Sequence, residues 1–233
     1  DADSEGEEGR FYVWTAAEID RALGPRAPAF KAAYDVTPEG NWEGKTILNR
    51  SQAPNLGEAA QEAALAADRE VLLALRAGRV RPGWDDKVLA DWNGLTIAAL
   101  ARAARVFQAP EWLAAAERAF AFVVARMSEA GRLKHAWRHG RLDHPATLDD
   151  YAALCLAALA LQEATGASGY LAQAEAWLAV LDAHYWDAAH GGYFLTADDT
   201  PDLIVRPKTA QDNALPAGNG MMLEVLARLH LLT

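Results

Sequence analysis

Polar and apolar positions alternate in blocks along this chain. The stretch Asp85-Asp86-Lys87-Val88-Leu89-Ala90-Asp91-Trp92-Asn93-Gly94-Leu95 opens with two acids and a lysine and runs into an almost wholly apolar segment through Leu100. Similar transitions recur at Thr147-Leu148-Asp149-Asp150-Tyr151 and at Asp212-Asn213-Ala214-Leu215-Pro216-Ala217-Gly218-Asn219. Asp91, Asp150 and Asp212 are spaced 59 and 62 residues apart. Between these buried-type helices lie amphipathic ones, predicted over residues 111–127 and 169–185, with a last apolar helix over 219–232. The alternation predicts helical hairpins that bury a common core by stacking, in a ring rather than an open solenoid, with the polar insertions gathered at one rim.

The N-terminal third reads differently. Phe11–Trp14 predicts a short strand, and Thr15-Ala16-Ala17-Glu18 is a capping-box pattern for a helix stopping at Gly24-Pro25. Residues 36–56 carry scattered Pro, Gly and Asn and predict irregular structure, after which Asn55 is in place to cap a helix over 58–76, ended by Gly78. Residues 132–142 predict a small β-hairpin or an extended loop around Gly140, and residues 191–196 and 203–206 predict two further short strands. Thr147 to Asp150 is a second capping box, and no polar residue occurs from Tyr151 to Leu161.

Of the 233 residues, 52% are hydrophobic, enough for a large core, and the net charge of −10 argues against a nucleic-acid or anionic-membrane partner. The lone cysteine, Cys155, sits in an apolar run and reads as a core residue. No apolar run reaches the roughly 20 residues of a membrane span, and no secretory signal is visible. A cytoplasmic location is the expectation. The chain starts without Met and ends in core-like sequence, so it reads as one partial domain, residues 1–233, truncated at both ends.

The quoted segments resemble a known family. Glu5–Trp14, Asp85-Asp86-Lys87 with Trp92–Leu95, Leu148–Ala152, Trp186-Asp187 with Gly191–Phe194, and Asp212–Asn219 are similar, in order, to the YyaL-type, spermatogenesis-associated group of thioredoxin-domain proteins. The resemblance implies a thioredoxin-like domain followed by an all-α (α/α)6 toroid of the six-hairpin glycosidase type, related to N-acylglucosamine and cellobiose 2-epimerases. Without a Cys-x-x-Cys, the thioredoxin-like part is absent from this chain. Ala217 and Gly220 stand where the family tends to have serines. The expected fold is therefore a partial toroid with short β-hairpins in its rim loops, in a family without a defined reaction.

The chemistry-bearing residues collect at the predicted rim. Asp86, Asp150 and Asp212 are candidate catalytic carboxylates, since hydrolysis of a glycosidic bond needs one protonated and one ionised acid. Asp at a helix start also caps free N–H groups, which competes with that reading. His135, which precedes the Asp149-Asp150 pair, is the candidate base for removing a proton beside a carbonyl. His135 and His139 have the spacing of a metal pair on a helix, but Gly140 argues for a hairpin there, so no metal and no cofactor is expected. His184, His190 and His230 read as structural. Arg81, Asp85, Lys87, Trp92, Asn93, Trp137, Arg138, Asp149, Tyr151 and Asn219 are the candidate ligand-binding residues. Arg79, Arg81 and Lys87 fit either a substrate anion or ion pairs with Asp85 and Asp86, and Trp112 and Trp177 read as core.

Two functional classes follow. One is a sugar-binding or sugar-processing rim with epimerase-like or hydrolase-like proton transfer. The other is a non-catalytic scaffold that serves the absent thioredoxin-like domain. An incomplete ring also predicts self-association.

Overall fold

A computed structural model describes residues 2–233. The chain divides into two compact units, one ending at Asp85 and the other spanning Asp86–Thr233.

The first unit begins with a two-stranded hairpin, β1 (Asp3–Ser4) and β2 (Glu7–Glu8). The expected capping box forms: Glu18 Oε2 accepts from Thr15 N at 2.7 Å, and α1 (Ala16–Leu23) follows. Gly24 ends α1 and opens a 3-10 turn into α2 (Ala27–Ala33), a short helix that the sequence pattern did not foretell. The expected strand at Phe11–Trp14 does not extend. Only Trp14 pairs, in an isolated bridge with Thr46, because Phe11 and Val13 turn into the core instead of along a partner strand. In α3 (Ala59–Ala77) the N-cap is Glu58, not Asn55. Leu65 and Leu72 of α3 join Ile19, Leu23 and Phe30 in the unit's core.

The second unit is built of helical hairpins. Strand β3 (Val88–Leu89) leads into α4 (Ala90–Phe107), which is joined by a left-handed Gln108 to α5 (Pro110–Arg126). Next come β4 (Ser128–Glu129) and the predicted hairpin, β5 (Arg132–Arg138) and β6 (Arg141–Pro145). Its two-residue turn, His139-Gly140, has φ of 49° and 85°, which the right-handed twist of a tight hairpin requires. Strand β5 also pairs with β3, with Val88 opposite Trp137. Helices α6 (Leu148–Thr165), α7 (Ser168–His184) and α8 (Gly218–Leu232) complete the unit.

Helix α6 is the centre of this unit. Every residue from Tyr151 to Leu161 is buried, so the helix has no wet face, and α4, α7 and α8 all pack on it. Helix α4 approaches so closely at Gly94 that an added Cβ would lie 2.7 Å from the Ala153 carbonyl carbon and 2.8 Å from Leu154 N. The amphipathic α5 and α7 turn only one stripe inward, Ala116-Phe120-Val123 and Ala174-Trp177-Leu181. Only α6 is buried all round: α4, expected to be buried on most sides, exposes Trp92, Thr96 and Ala99, and α8 exposes Leu223 and Leu231, so both are half-wet like α5 and α7. Trp177 is in the core, but Trp112 is exposed at the start of α5.

The two strands expected at 191–196 and 203–206 are absent. Ile204 is fully exposed, and a β-branched run without a partner or a buried face has nothing to hold it extended. That segment is tied down otherwise: Arg206 donates to the Thr196 and His184 carbonyls, and Lys208 Nζ reaches Asp187 Oδ2 at 2.6 Å. The Lys208 hydrogen bond is the main cause that pulls the Asp187 carboxyl down to about 2. Among the described residues, no helix is long and apolar enough to cross a membrane.

Candidate functional site

Helices α4, α6 and α8 bring their N-termini to one rim, and two adjacent aspartates join them there. Asp150 is wholly buried. Its Oδ2 accepts from Thr147 N at 2.7 Å and Thr147 Oγ1 at 3.0 Å, closing the capping box of its own helix. Its Oδ1 accepts from Asp91 N at 3.0 Å, in the first turn of α4. Asp149 turns the other way, where its Oδ1 accepts from Gly218 N at 2.8 Å, at the start of α8. Gly218 has no space for a side chain, since a Cβ would sit 2.4 Å from that oxygen. Asp212 Oδ1 takes the preceding amide, Ala217 N, at 2.9 Å. Carboxylates at helix N-termini satisfy free N–H groups and complement the helix dipole.

His135 completes the cluster from the sheet. Its Nδ1 lies 3.0 Å from both Asp150 oxygens. Asp150 already accepts three other hydrogen bonds, so Nδ1 carries the proton and Nε2 is left as the basic nitrogen. Nε2 has no hydrogen-bond partner among the described residues, and the ring is 30% exposed. The hydrogen bond to Asp150 raises the His135 pKa above its ordinary value, against desolvation and with help from the charges of Asp150 and Asp91.

Asp91, Asp150 and His135 each offer a ligand atom within 4.8 Å of the others. Desolvation, then repulsion from Asp150, raises the Asp91 carboxyl. Asp149 is raised mainly by desolvation, with repulsion from Asp150 and Asp91 adding to it. The trio is a poor metal cage as it stands. Asp150 accepts from four groups, and coordination would cost it His135 or a helix cap.

The other sequence candidates take different places. Asp150 was a candidate to act on a ligand itself, but a saturated, buried carboxylate can only orient His135. Asp86 belongs to the hairpin tip, bonded to Arg138 Nε and 2.8 Å from His139 Nε2. That tip is four residues along β5 from His135, about 13 Å by strand rise. Desolvation alone would raise the Asp86 carboxyl, but the Arg138 hydrogen bond and the charges of Arg138 and His139 outweigh it and hold it low. Arg138 is thereby committed to an ion pair rather than to a ligand.

Tyr151 faces the core, where its hydroxyl accepts from Leu133 N at 3.0 Å and its ring meets Tyr185 edge-on. Asn219 is saturated by Tyr193 N, Tyr193 O and Thr209 O, so it fixes loops. Asn93 Nδ2 donates to Leu89 O, and Trp137 packs edge-on against Phe122. Trp92 is exposed on the first turn of α4. Arg81 and Asp85 lie in the first unit, where the Arg81 guanidinium sits 5.7 Å from the Phe11 ring. Arg79 pairs with neither rim acid named for it. It donates to the Arg10, Phe11 and Val13 carbonyls and Glu18 and stacks 4.1 Å from the Trp14 ring. Asp91, now central, served in the sequence only to mark the repeat. Its signal was an acid in the first turn of a buried helix, one repeat before Asp150.

The curated relatives are longer chains, and their alignments run over nearly the full length of this one. Spermatogenesis-associated protein 20 of Rattus norvegicus is 30% identical over 277 residues, covering 100% of this chain and 35% of the relative. The human protein of that name is 29% identical over 274 residues, with 99% and 35% covered. The chain is a homologue of spermatogenesis-associated protein 20. It spans about a third of the length of these curated relatives, and no family model matches it. Among solved structures, the cellobiose 2-epimerase of Spirochaeta thermophila superposes with a TM-score of 0.51 at 18% identity, over 63% of this chain and 39% of that one. The fold is thus all-α, part of an (α/α)6 toroid of the six-hairpin type with short β-hairpins, as the family resemblance implied.

Proposed function

We propose that the rim where α4, α6 and α8 begin binds a sugar or sugar-like ligand, and that His135 moves a proton on it. The carrying observation is the Asp150–His135 pair, a buried carboxylate fixing the Nδ1–H tautomer so that a partly exposed ring presents Nε2 as a base. In this reading Nε2 takes the proton beside a ligand carbonyl, and Asp150 stabilises the imidazolium, which is the acid that returns the proton. Epimerase-like or isomerase-like chemistry fits this arrangement better than hydrolysis, which needs two carboxyls free to face the bond. Kinship of fold with a cellobiose 2-epimerase supports a sugar as the ligand.

The test is solvent exchange. In D2O, loss of the proton signal at the carbon beside the anomeric carbon of cellobiose or an N-acylhexosamine, abolished by His135→Gln, is the expected result. A panel of aldoses showing no exchange and no binding would leave the second reading, a scaffold whose acids serve only as caps. That reading draws on Asp149, Asp150 and Asp212 each holding a helix-start amide.

A further inference from the structure

The first unit carries concavities of its own, and their charges set them apart. The larger, of about 580 Å³, is lined by the cations Arg10, Lys45 and Arg79 and by the acids Glu5, Glu7 and Glu18. Those charges answer one another: Arg10 pairs with Glu5 and Glu7, Lys45 with Glu7, and Arg79 with Glu18. The smaller, of about 370 Å³, has an apolar wall of Trp14, Phe30, Tyr34, Leu48 and Leu73, with Arg69, Glu70 and Arg76 of α3 beside it. Trp14 and Phe30 are buried beneath, so Tyr34, Leu48 and the half-exposed Leu73 are the surfaces a ligand would touch. Tyr34 is held in place: its ring stacks on Phe30 with centroids 4.4 Å apart, and its hydroxyl accepts from Arg69 Nη1 at 2.6 Å. Glu62, whose carboxyl feels the Arg69 charge, is already held by Arg50 through both oxygens at 2.9 Å. Arg76 is unlike the cations of the larger cavity. Its guanidinium lies 5.7 Å from the Phe11 ring and 5.9 Å from the Tyr12 ring, and its side chain has no hydrogen bond or ion pair among the described residues. A guanidinium against an aromatic ring still offers its N–H edge.

We propose that the smaller cavity of the first unit binds a small carboxylic acid with a flat apolar body, its ring on the Tyr34–Leu73 wall and its carboxylate on Arg76. The volume is at the lower end of the range for small-molecule pockets, which are mostly apolar with a few placed polar groups. A flat ring packs well on a wall backed by aromatic side chains. A guanidinium fork matches a carboxylate in geometry as well as charge. Two arginines against Glu70 leave one positive charge over, so a monoanion is matched and a cation is not. Arg69 adds its charge while it holds the tyrosine. None of the rim residues takes part, so this site stands or falls independently of the sugar reading.

The test is NMR of the whole chain titrated with indole-3-acetate, indole-3-ethanol and tryptamine at neutral pH. The three share one ring system and differ in the charge at the end of a short arm. The expected result is shifts at Tyr34, Leu73 and the Arg76 Nε–H, with the acid binding about tenfold tighter than the alcohol, the gain of a charged over a neutral hydrogen bond, and the amine weakest. Arg76→Gln should bring the acid down to the affinity of the alcohol and leave the alcohol unchanged. Glu70→Gln, at an exposed position, should tighten the acid by about twofold. Should Arg76→Gln fail to fold, Arg76→Lys carries the same comparison, since it keeps the charge, loses the fork and should bind the acid with an intermediate affinity. Equal affinity for acid and alcohol, tightest binding of the amine, shifts confined to residues outside the groove, or no binding of any probe overturns the assignment.

Discussion

At their N-terminal ends α4, α6 and α8 are joined by two carboxylates, the buried Asp150 and the half-buried Asp149, that reach from one helix to the backbone of the next. Toward their C-terminal ends the same helices are joined by long exposed side chains. Arg102 of α4 meets Glu224 of α8 at 3.0 Å, and Glu163 of α6 binds both Arg105 of α4 and Arg228 of α8. Arg228 and Glu224, one turn apart, close the network at 3.3 Å. One end uses short rigid acids, backbone amides and a desolvated setting, and the other uses flexible charges in water. Either arrangement would hold three helices together. Only the first also fixes a histidine in one tautomer and leaves acids partly unsatisfied, and that difference is the ground for placing function at the rim.

The contrast can be broken most forcefully at Asp150. Asp150→Ala strands the Asp91 and Thr147 amides in the interior and should cost roughly 3–5 kcal/mol, read from the denaturant midpoint. A loss below about 1 kcal/mol would mean that the cap network is ornamental. Next comes Gly94→Ala, whose methyl group meets backbone rather than a side chain that can swing away. It should cost roughly 1–3 kcal/mol and loosen the α4–α6 contact. At the far end Glu163→Gln removes two exposed ion pairs and should cost no more than about 1 kcal/mol. High salt should erase that smaller effect and leave the Asp150→Ala penalty intact, because screening acts on exposed charges.

The pH dependence sharpens the same comparison. His135 has a folded-state pKa above its ordinary 6.5, so the folded chain binds that proton more tightly than the unfolded one. The stability it contributes is fully present below 6.5 and is lost as the pH rises through the folded value. Asp91 and Asp149 are also raised, so their contributions are present below their ordinary 3.8 and fade as the pH climbs above it. Stability of the second unit should therefore decline from acid toward neutral pH on their account. His135→Gln should flatten the part of the slope near neutrality. An unchanged slope there would show that His135 has no privileged link to Asp150.

Much of this was legible in the sequence. The capping boxes at Thr15–Glu18 and Thr147–Asp150, the unbroken apolar run of α6 and the turn at Gly140 are local signals, and local physics fixes them. Asp150 and His135 could be paired as candidates because both lie beside one predicted helix mouth. What failed depended on tertiary partners. The run 203–206 has strand-forming residues but no strand beside it, and Trp112 lies where α5 faces solvent rather than core. Asp86 looked like Asp150's counterpart until the β3–β5 register carried it to the hairpin tip with Arg138. Asp91 was passed over because its neighbour in space, Asp150, is 59 residues away.

The most direct measurement is nitrogen NMR of the His135 ring across a pH titration, in the wild type and in Asp150→Asn. The account predicts a neutral ring protonated at Nδ1, a pKa above the ordinary histidine value, and a clear fall of that pKa in the variant. A ring protonated at Nε2, or a pKa at or below the ordinary value that Asp150→Asn does not move, would contradict it.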